Sequence, residues 1–138
     1  QVAAAVGAKV IALDISDTKL EQARAAGAHA TLNLTGLEIK EVRKQVRALG
    51  QKDDIAIGIS TSGGSRNVLE AIHAARDIGM FTIGLTGRGG KLAECADLVF
   101  RVESDTTARI QEAHITLGHI LCDLLERILF PEKYGEKL

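Results

Sequence analysis

An α/β protein is what this chain of 138 residues predicts, and three observations predict it. Five short apolar runs recur along it, rich in Val, Ile and Leu but without strict alternation, as suits strands covered on both faces of a sheet. Between them lie stretches whose apolar residues return at helical spacing. No segment rich in Pro, Gly or Ser divides the chain, and no internal repeat marks it off. Strands alternating with helices mean parallel strands joined by right-handed crossovers. The expected architecture is therefore one three-layer α/β/α domain over 1–138 with a five-stranded parallel sheet.

The first strand is expected in Lys9–Asp14, followed by a helix in Asp17–Ala26 with Ser16 or Asp17 as its cap and Gly27 behind it. Ala30–Leu34 reads as the second strand and Glu38–Leu49 as the next helix, ending at Gly50. Asp54–Ile59 is the third strand. The helix after it, Ser65–Asp77, carries Val68, Leu69, Ile72, Ala75 and Ile78 as an inward stripe and ends at Gly79. Met80–Leu85 and Asp97–Val102 read as the last two strands, with a short helix in Gly90–Ala96 between them. Thr106–Leu129 closes the chain, capped by Ser104 or Asp105, with Ile110, Leu117, Leu121, Leu124 and Ile128 along its inner side.

A formal net charge of -1 gives no electrostatic case for nucleic acid or a membrane surface, so neither partner is expected. With 3% aromatics and no Trp there is no base-stacking platform. No apolar stretch approaches the ~18 residues of a membrane span. Cys95 and Cys122 fall in predicted helices without metal-ligand spacing, and read as buried free thiols of a cytoplasmic protein. The chain opens at Gln1 in what reads as the middle of a helix, which leads us to expect a processed, trimmed or engineered piece.

The segment richest in chemistry is Ser60-Thr-Ser-Gly-Gly-Ser65, which follows a buried strand and opens a helix near Arg66. Backbone N–H groups at a helix start are unsatisfied, and the helix dipole places partial positive charge there. Ser60, Thr61, Ser62 and Ser65 add hydroxyl donors, while Gly63 and Gly64 let the backbone approach a ligand closely. The loop also sits at the carboxyl end of a strand, where open α/β sheets place ligands. It is no P-loop, since the Gly-Lys-Ser/Thr ending is absent. The missing lysine points to a phosphate monoester held by neutral donors, although a plain strand-to-helix turn would use the same residues.

Asp54-Ile-Ala-Ile-Gly-Ile-Ser-Thr-Ser-Gly-Gly-Ser-Arg-Asn-Val68, followed by Ile78-Gly-Met-Phe-Thr-Ile-Gly-Leu-Thr-Gly87, resembles the core of SIS domains. Arg109-Ile-Gln-Glu-Ala-His-Ile-Thr-Leu-Gly-His119 narrows the resemblance to their phosphoheptose isomerase branch. It runs from about Asp53 to the C-terminus. The resemblance implies that Ser60, Thr61, Ser62 and Ser65 hold the phosphate of a sugar phosphate, or phosphate itself. It assigns Gln111 and His119 to a metal and catalytic site, with zinc as the metal the family implies; the residues themselves suggest no cofactor. A histidine suits proton abstraction beside a carbonyl, the step an aldose–ketose isomerisation needs. Eight residues along one straight helix separate Gln111 from His119 by about 12 Å, so either the helix starts late or another subunit contributes. The broad apolar face of this helix, of a kind through which SIS domains assemble, makes a homodimer one expectation and burial in its own core the other.

The first fifty residues follow a different pattern. Val2-Ala-Ala-Ala-Val-Gly-Ala-Lys-Val-Ile-Ala-Leu-Asp14, with Lys19 through Ala30, resembles the second strand, next helix and third strand of the nucleotide-binding domain of medium-chain alcohol dehydrogenases. There the acid ending the strand binds a cofactor ribose. Here the Gly-x-Gly-x-x-Gly fingerprint is absent, so Asp14 is expected as a strand-end or cap residue and no dinucleotide is expected. Placed before the SIS-like strands, the two borrowed strands give a flavodoxin-like order 2-1-3-4-5. Taken together, the two resemblances suggest an engineered chimera of a 1–50 and a 51–138 fragment. The SIS family's His and Glu on an early helix have no counterpart, and Ala108 stands where several relatives carry Asp. The expectation is therefore sugar-phosphate binding without turnover; the alternative is an active sedoheptulose 7-phosphate isomerase.

Overall fold

The computed structural model describes residues 1–5 and 7–134. Its elements run α1 (Val2–Ala5), β1 (Ile11–Asp14), α2 (Asp17–Ala25), β2 (Ala30–Asn33), α3 (Ile39–Leu49), β3 (Ile55–Ser60), α4 (Arg66–Asp77), β4 (Phe81–Thr86), α5 (Leu92–Cys95), β5 (Leu98–Arg101) and α6 (Thr107–Leu129), with a 3-10 turn at Pro131–Lys133. All strand pairs are parallel, as strands separated by helices require. By compactness the chain divides into two units, Gln1–Gly36 with Leu117–Leu138, and Leu37–Thr116.

In the first unit β1 lies beside β2, from Ile11 opposite Ala30 to Asp14 opposite Asn33, and α2 packs on both. Among its described residues, Leu20 of α2 and Leu34 after β2 are buried. Ser16 caps α2, its hydroxyl accepting from Lys19 N at 3.5 Å. Asp14 ends β1 and turns its carboxylate back on the chain, where Oδ1 accepts from Ile15 N at 2.8 Å and Ser16 N at 2.9 Å. It closes the turn into α2, as a strand-end acid does.

In the second unit β4 lies between β3 and β5. Ala56, Gly58 and Ser60 of β3 stand beside Thr82, Gly84 and Thr86 of β4 on one face, and this is the face the helices cover. Small residues bring those helices close. A Cβ on Gly58 would lie 2.9 Å from Ile72 Cγ1 of α4, and one on Gly84 would lie 3.3 Å from Leu92 Cγ of α5. Val42 of α3, with Ile72, Ala74 and Ala75 of α4 and Leu92 of α5, is fully or almost fully buried. The first strand pair and this sheet share no ladder hydrogen bonds among the described residues. The expected five-stranded order 2-1-3-4-5 thus appears as one sheet of two strands and one of three. Alternation in sequence fixes the type of element and the parallel sense, but which edges pair depends on ladder geometry that no residue pattern reports.

Two further expectations are corrected. Apolar runs do not mean cover on both faces: Ile55, Ile57 and Ile59 of β3 are 62%, 57% and 58% exposed. On α6, Ile110 is buried, but Leu121, Leu124 and Ile128 of the expected inner stripe are exposed. Helical spacing shows which residues share a face, and says nothing of whether that face is covered. Of the two thiols, Cys95 is half-buried, burial pushing its pKa up, whereas Cys122 is exposed. Glycines follow α2 and α4 in the left-handed region, Gly27 at φ +100° and Gly79 at φ +84°, while Gly50 behind α3 is extended at φ -89°.

Candidate functional site

The loop from Ser60 to Ser65 leaves the carboxyl end of β3 and is held by its own hydroxyls. Ser60 is buried, and its Oγ accepts from Ser65 N at 3.4 Å and lies 3.4 Å from Ser62 Oγ. Ser62 is exposed, and its Oγ accepts from Gly64 N at 3.2 Å. Ser65 stands at the N-cap of α4 but makes no side-chain cap hydrogen bond; its carbonyl accepts from Leu69 N at 3.0 Å. The first turn of this 12-residue helix is therefore left without a side-chain cap, with the positive end of its dipole at the loop.

A second loop, Gly87-Arg-Gly-Gly90, leaves the carboxyl end of β4 and lies against the first. Gly87 N donates to Thr61 O at 3.1 Å, and Leu92 N donates to Gly63 O at 3.0 Å. The contact is closer than side chains allow: Gly63 has φ +63° and Gly90 φ +88°, and a Cβ on either would strike backbone atoms of the other loop. The sequence pointed to Gly63 and Gly64 as room for a ligand. The structure uses Gly63 as room for the neighbouring loop, and leaves Gly64 exposed with nothing nearer than 3.8 Å to an added Cβ.

Thr61 and Ser62 line a cavity of about 260 Å³, with Gly89 from the second loop and with Ser104, Asp105, Thr107 and Ile110 from the turn into α6. Ser104 was expected as a helix cap; its Oγ accepts from Thr106 N at 3.1 Å and closes the turn just before α6. Asp105 pairs with Arg88 at 2.8 Å, so the one carboxylate on the cavity wall is partly neutralised. Arg66 and Lys91, exposed on either side of the two loops in sequence, make no ion pair among the described residues. Chemically the wall carries the hydroxyls of Thr61, Ser62, Ser104 and Thr107 beside the Arg88-paired carboxylate of Asp105 and the apolar Ile110, groups able to hydrogen-bond a polyhydroxy ligand.

Of the residues the sequence singled out, Thr61 and Ser62 line the cavity, Ser60 and Ser65 are joined to each other without lining it, and Gln111 and His119 are exposed on α6. α6 is one continuous helix across both positions, so the rise of about 12 Å between them stands. No cluster of three or more His, Cys, Asp or Glu side chains placed to hold a metal exists among the described residues. Gln111 and His119 alone do not fit a zinc site. Sequence reasoning missed the wall formed by Ser104, Asp105 and Thr107, as well as the second loop as partner of the first. The signal for the latter was present in three glycines within four residues directly after a strand.

Comparison with known proteins gives two results. The zinc-binding dehydrogenase family profile matches residues 1–115, running past the boundary expected near Gly50. Curated phosphoheptose isomerases match more narrowly and more closely. That of Nitratidesulfovibrio vulgaris is 54% identical over 88 residues, covering 63% of this chain and 42% of the relative. That of Thermodesulfovibrio yellowstonii is 58% identical over 88 residues, covering 63% of this chain and 44% of the relative. The chain thus spans less than half the length of these relatives. In three dimensions, a phosphoheptose isomerase from Neisseria gonorrhoeae superposes with a TM-score of 0.66 at 36% identity, over 86% of this chain and 76% of the other. Both resemblances seen in the sequence are thus found, and nothing in these matches directly supports a chimera.

Proposed function

Since the chain belongs to the zinc-binding dehydrogenases, by the profile over residues 1–115, and to the phosphoheptose isomerases, by relatives and by structure, we propose that its site works as the second. The ligand is a sugar phosphate. Its phosphate rests on the hydroxyls of Ser60, Thr61, Ser62 and Ser65 and on the uncapped first turn of α4, and its carbon chain extends past Ser104, Asp105 and Thr107. One observation carries this reading: Thr61 and Ser62 line a cavity at the carboxyl end of a strand, beside a helix start without a side-chain cap. A dinucleotide fits poorly, because Asp14, the residue that would hold its ribose, spends its Oδ1 on its own turn.

The reaction proposed is aldose–ketose isomerisation, the chemistry that the resemblance to SIS isomerases implies. It requires a proton to be moved beside a carbonyl, and the resemblance assigns that step to His119. Turnover by this chain is a proposal in its own right, because it spans less than half of the curated relatives.

Titrating isotope-labelled protein with inorganic phosphate and then with sedoheptulose 7-phosphate, followed by NMR, tests the binding. Saturable shifts are expected at residues 60–66 with either ligand, joined by Ser104, Asp105 and Thr107 with the sugar phosphate, and binding at least about tenfold weaker in Ser62→Ala, since a hydrogen bond to a charged group is worth roughly 1.5–3 kcal/mol. A dispersed spectrum that never moves would refute the site. The same samples, assayed for turnover beside a His119→Ala variant, test the chemistry: activity that survives in the variant removes His119 from the role.

A further inference from the structure

His114 is 8% exposed, on the same side of α6 as Ile110 one turn earlier. Its Nε2 lies 3.2 Å from Thr86 O, and its Nδ1 is buried with no hydrogen-bond partner among the described residues. A carbonyl only accepts, so in the neutral ring the proton sits on Nε2 and Nδ1 keeps a lone pair. An unpaired buried acceptor is costly, and a leucine would fill such a place without that cost. What the imidazole supplies that leucine cannot is the bond to Thr86 O.

Thr86 is the residue on which the two loops meet. It ends β4, and its carbonyl also accepts from Val102 N at 2.9 Å. Its Oγ1 donates to Gly89 O at 3.3 Å, and a Cβ on Gly63 would come within 2.5 Å of that Oγ1. Gly63 in turn carries the carbonyl that Leu92 N reaches, and Thr61 the one that Gly87 N reaches. We infer that His114 is a positioning residue: through Thr86 it holds the Gly87–Gly90 loop against the Ser60–Ser65 loop and so sets the geometry of the hydroxyls offered to a ligand. The positioning does not depend on what the site binds; only its consequence for affinity rests on the phosphate reading.

Two variants separate positioning from simple packing. His114→Gln keeps an N–H near the place of Nε2, and His114→Leu keeps the bulk and loses the donor. Hydrogen exchange in the ligand-free protein is read at Gly87 N and Leu92 N, which join the loops, and at Phe81 N, which bonds Asp54 O at 2.8 Å at the far end of the same strands. Loss of one net hydrogen bond predicts exchange at least about fivefold faster at Gly87 and Leu92 in His114→Leu, unchanged at Phe81, and restored in His114→Gln. Equal acceleration at all three amides, or none at Gly87 and Leu92, overturns the inference. Phosphate affinity is then measured in the same three proteins, where a loss of about fivefold or more in His114→Leu, recovered in His114→Gln, is expected. Should the parent protein itself bind no phosphate, the ligand reading falls while the exchange contrast still decides the role of His114.

Discussion

Gly63 has φ +63°, and an added Cβ would strike Gly89 O and lie 2.5 Å from Thr86 Oγ1. The left-handed backbone alone costs an L-residue roughly 1–2 kcal/mol, and the clash falls on backbone that cannot swing away. Gly63→Ala is therefore expected to destabilise the fold by about 2–4 kcal/mol in urea unfolding. Gly89→Ala, whose Cβ would meet nothing within 4 Å, should change stability by no more than about 0.5 kcal/mol. Matching midpoints for the two variants would mean that the loops do not press together as described. At this scale the placing of Ser60, Thr61, Ser62 and Ser65 between strand and helix was readable, because the apolar run before them and the helical spacing after them are local signals; their hold on phosphate is a proposal for the titration to decide. His114 was not readable. Its partner Thr86 lies 28 residues away, and nothing local distinguishes it from His119 five positions on.

Among the elements, the join between β4 and β5 is the one most plainly made by side chains. Asp97, just before β5, accepts from Thr82 N at 2.9 Å and from Thr82 Oγ1 at 2.6 Å, and its own N–H returns to Thr82 Oγ1 at 3.0 Å. Thr82 is fully buried, so its amide and hydroxyl have no water to turn to. The bond from the Thr82 hydroxyl, then that from its amide, hold the Asp97 carboxyl below the usual carboxylate range, and Arg76 adds to the effect. A carboxyl whose folded pKa is depressed contributes stability that is complete above its unfolded value near 3.9 and is lost as pH falls through the folded value. Asp97→Asn is thus expected to melt below the parent at neutral pH, with the gap narrowing as both are taken to acid. A gap that stays constant would show that shape, and not charge, makes the join. Strand and helix positions were readable here almost to the residue, since glycines, caps and apolar runs are local signals. The partition into sheets of two and three strands was not, because β1 and β3 carry the same kind of residues whichever edge they pair.

For the whole molecule, the informative element is α6, which supplies residues 107–116 to one compact unit and 117–129 to the other while remaining a single helix. Helix formation is cooperative along the chain, so melting α6 in one unit removes the start of the same helix from the other. One calorimetric transition is therefore expected, although the chain divides by compactness into two. A ligand that binds only the folded site stabilises by mass action, about 2.7 kcal/mol at a hundred times its dissociation constant. For a domain of this size each kcal/mol raises Tm by roughly 2–8 °C, so saturating phosphate should move the whole transition upward by several degrees. Two resolved transitions, of which phosphate moves only one, would show that residues 37–116 unfold independently of the rest and that the helix does not tie the units together. A single transition that phosphate leaves in place would locate the failure elsewhere, in the reading of the Ser60–Ser65 loop as an anion site.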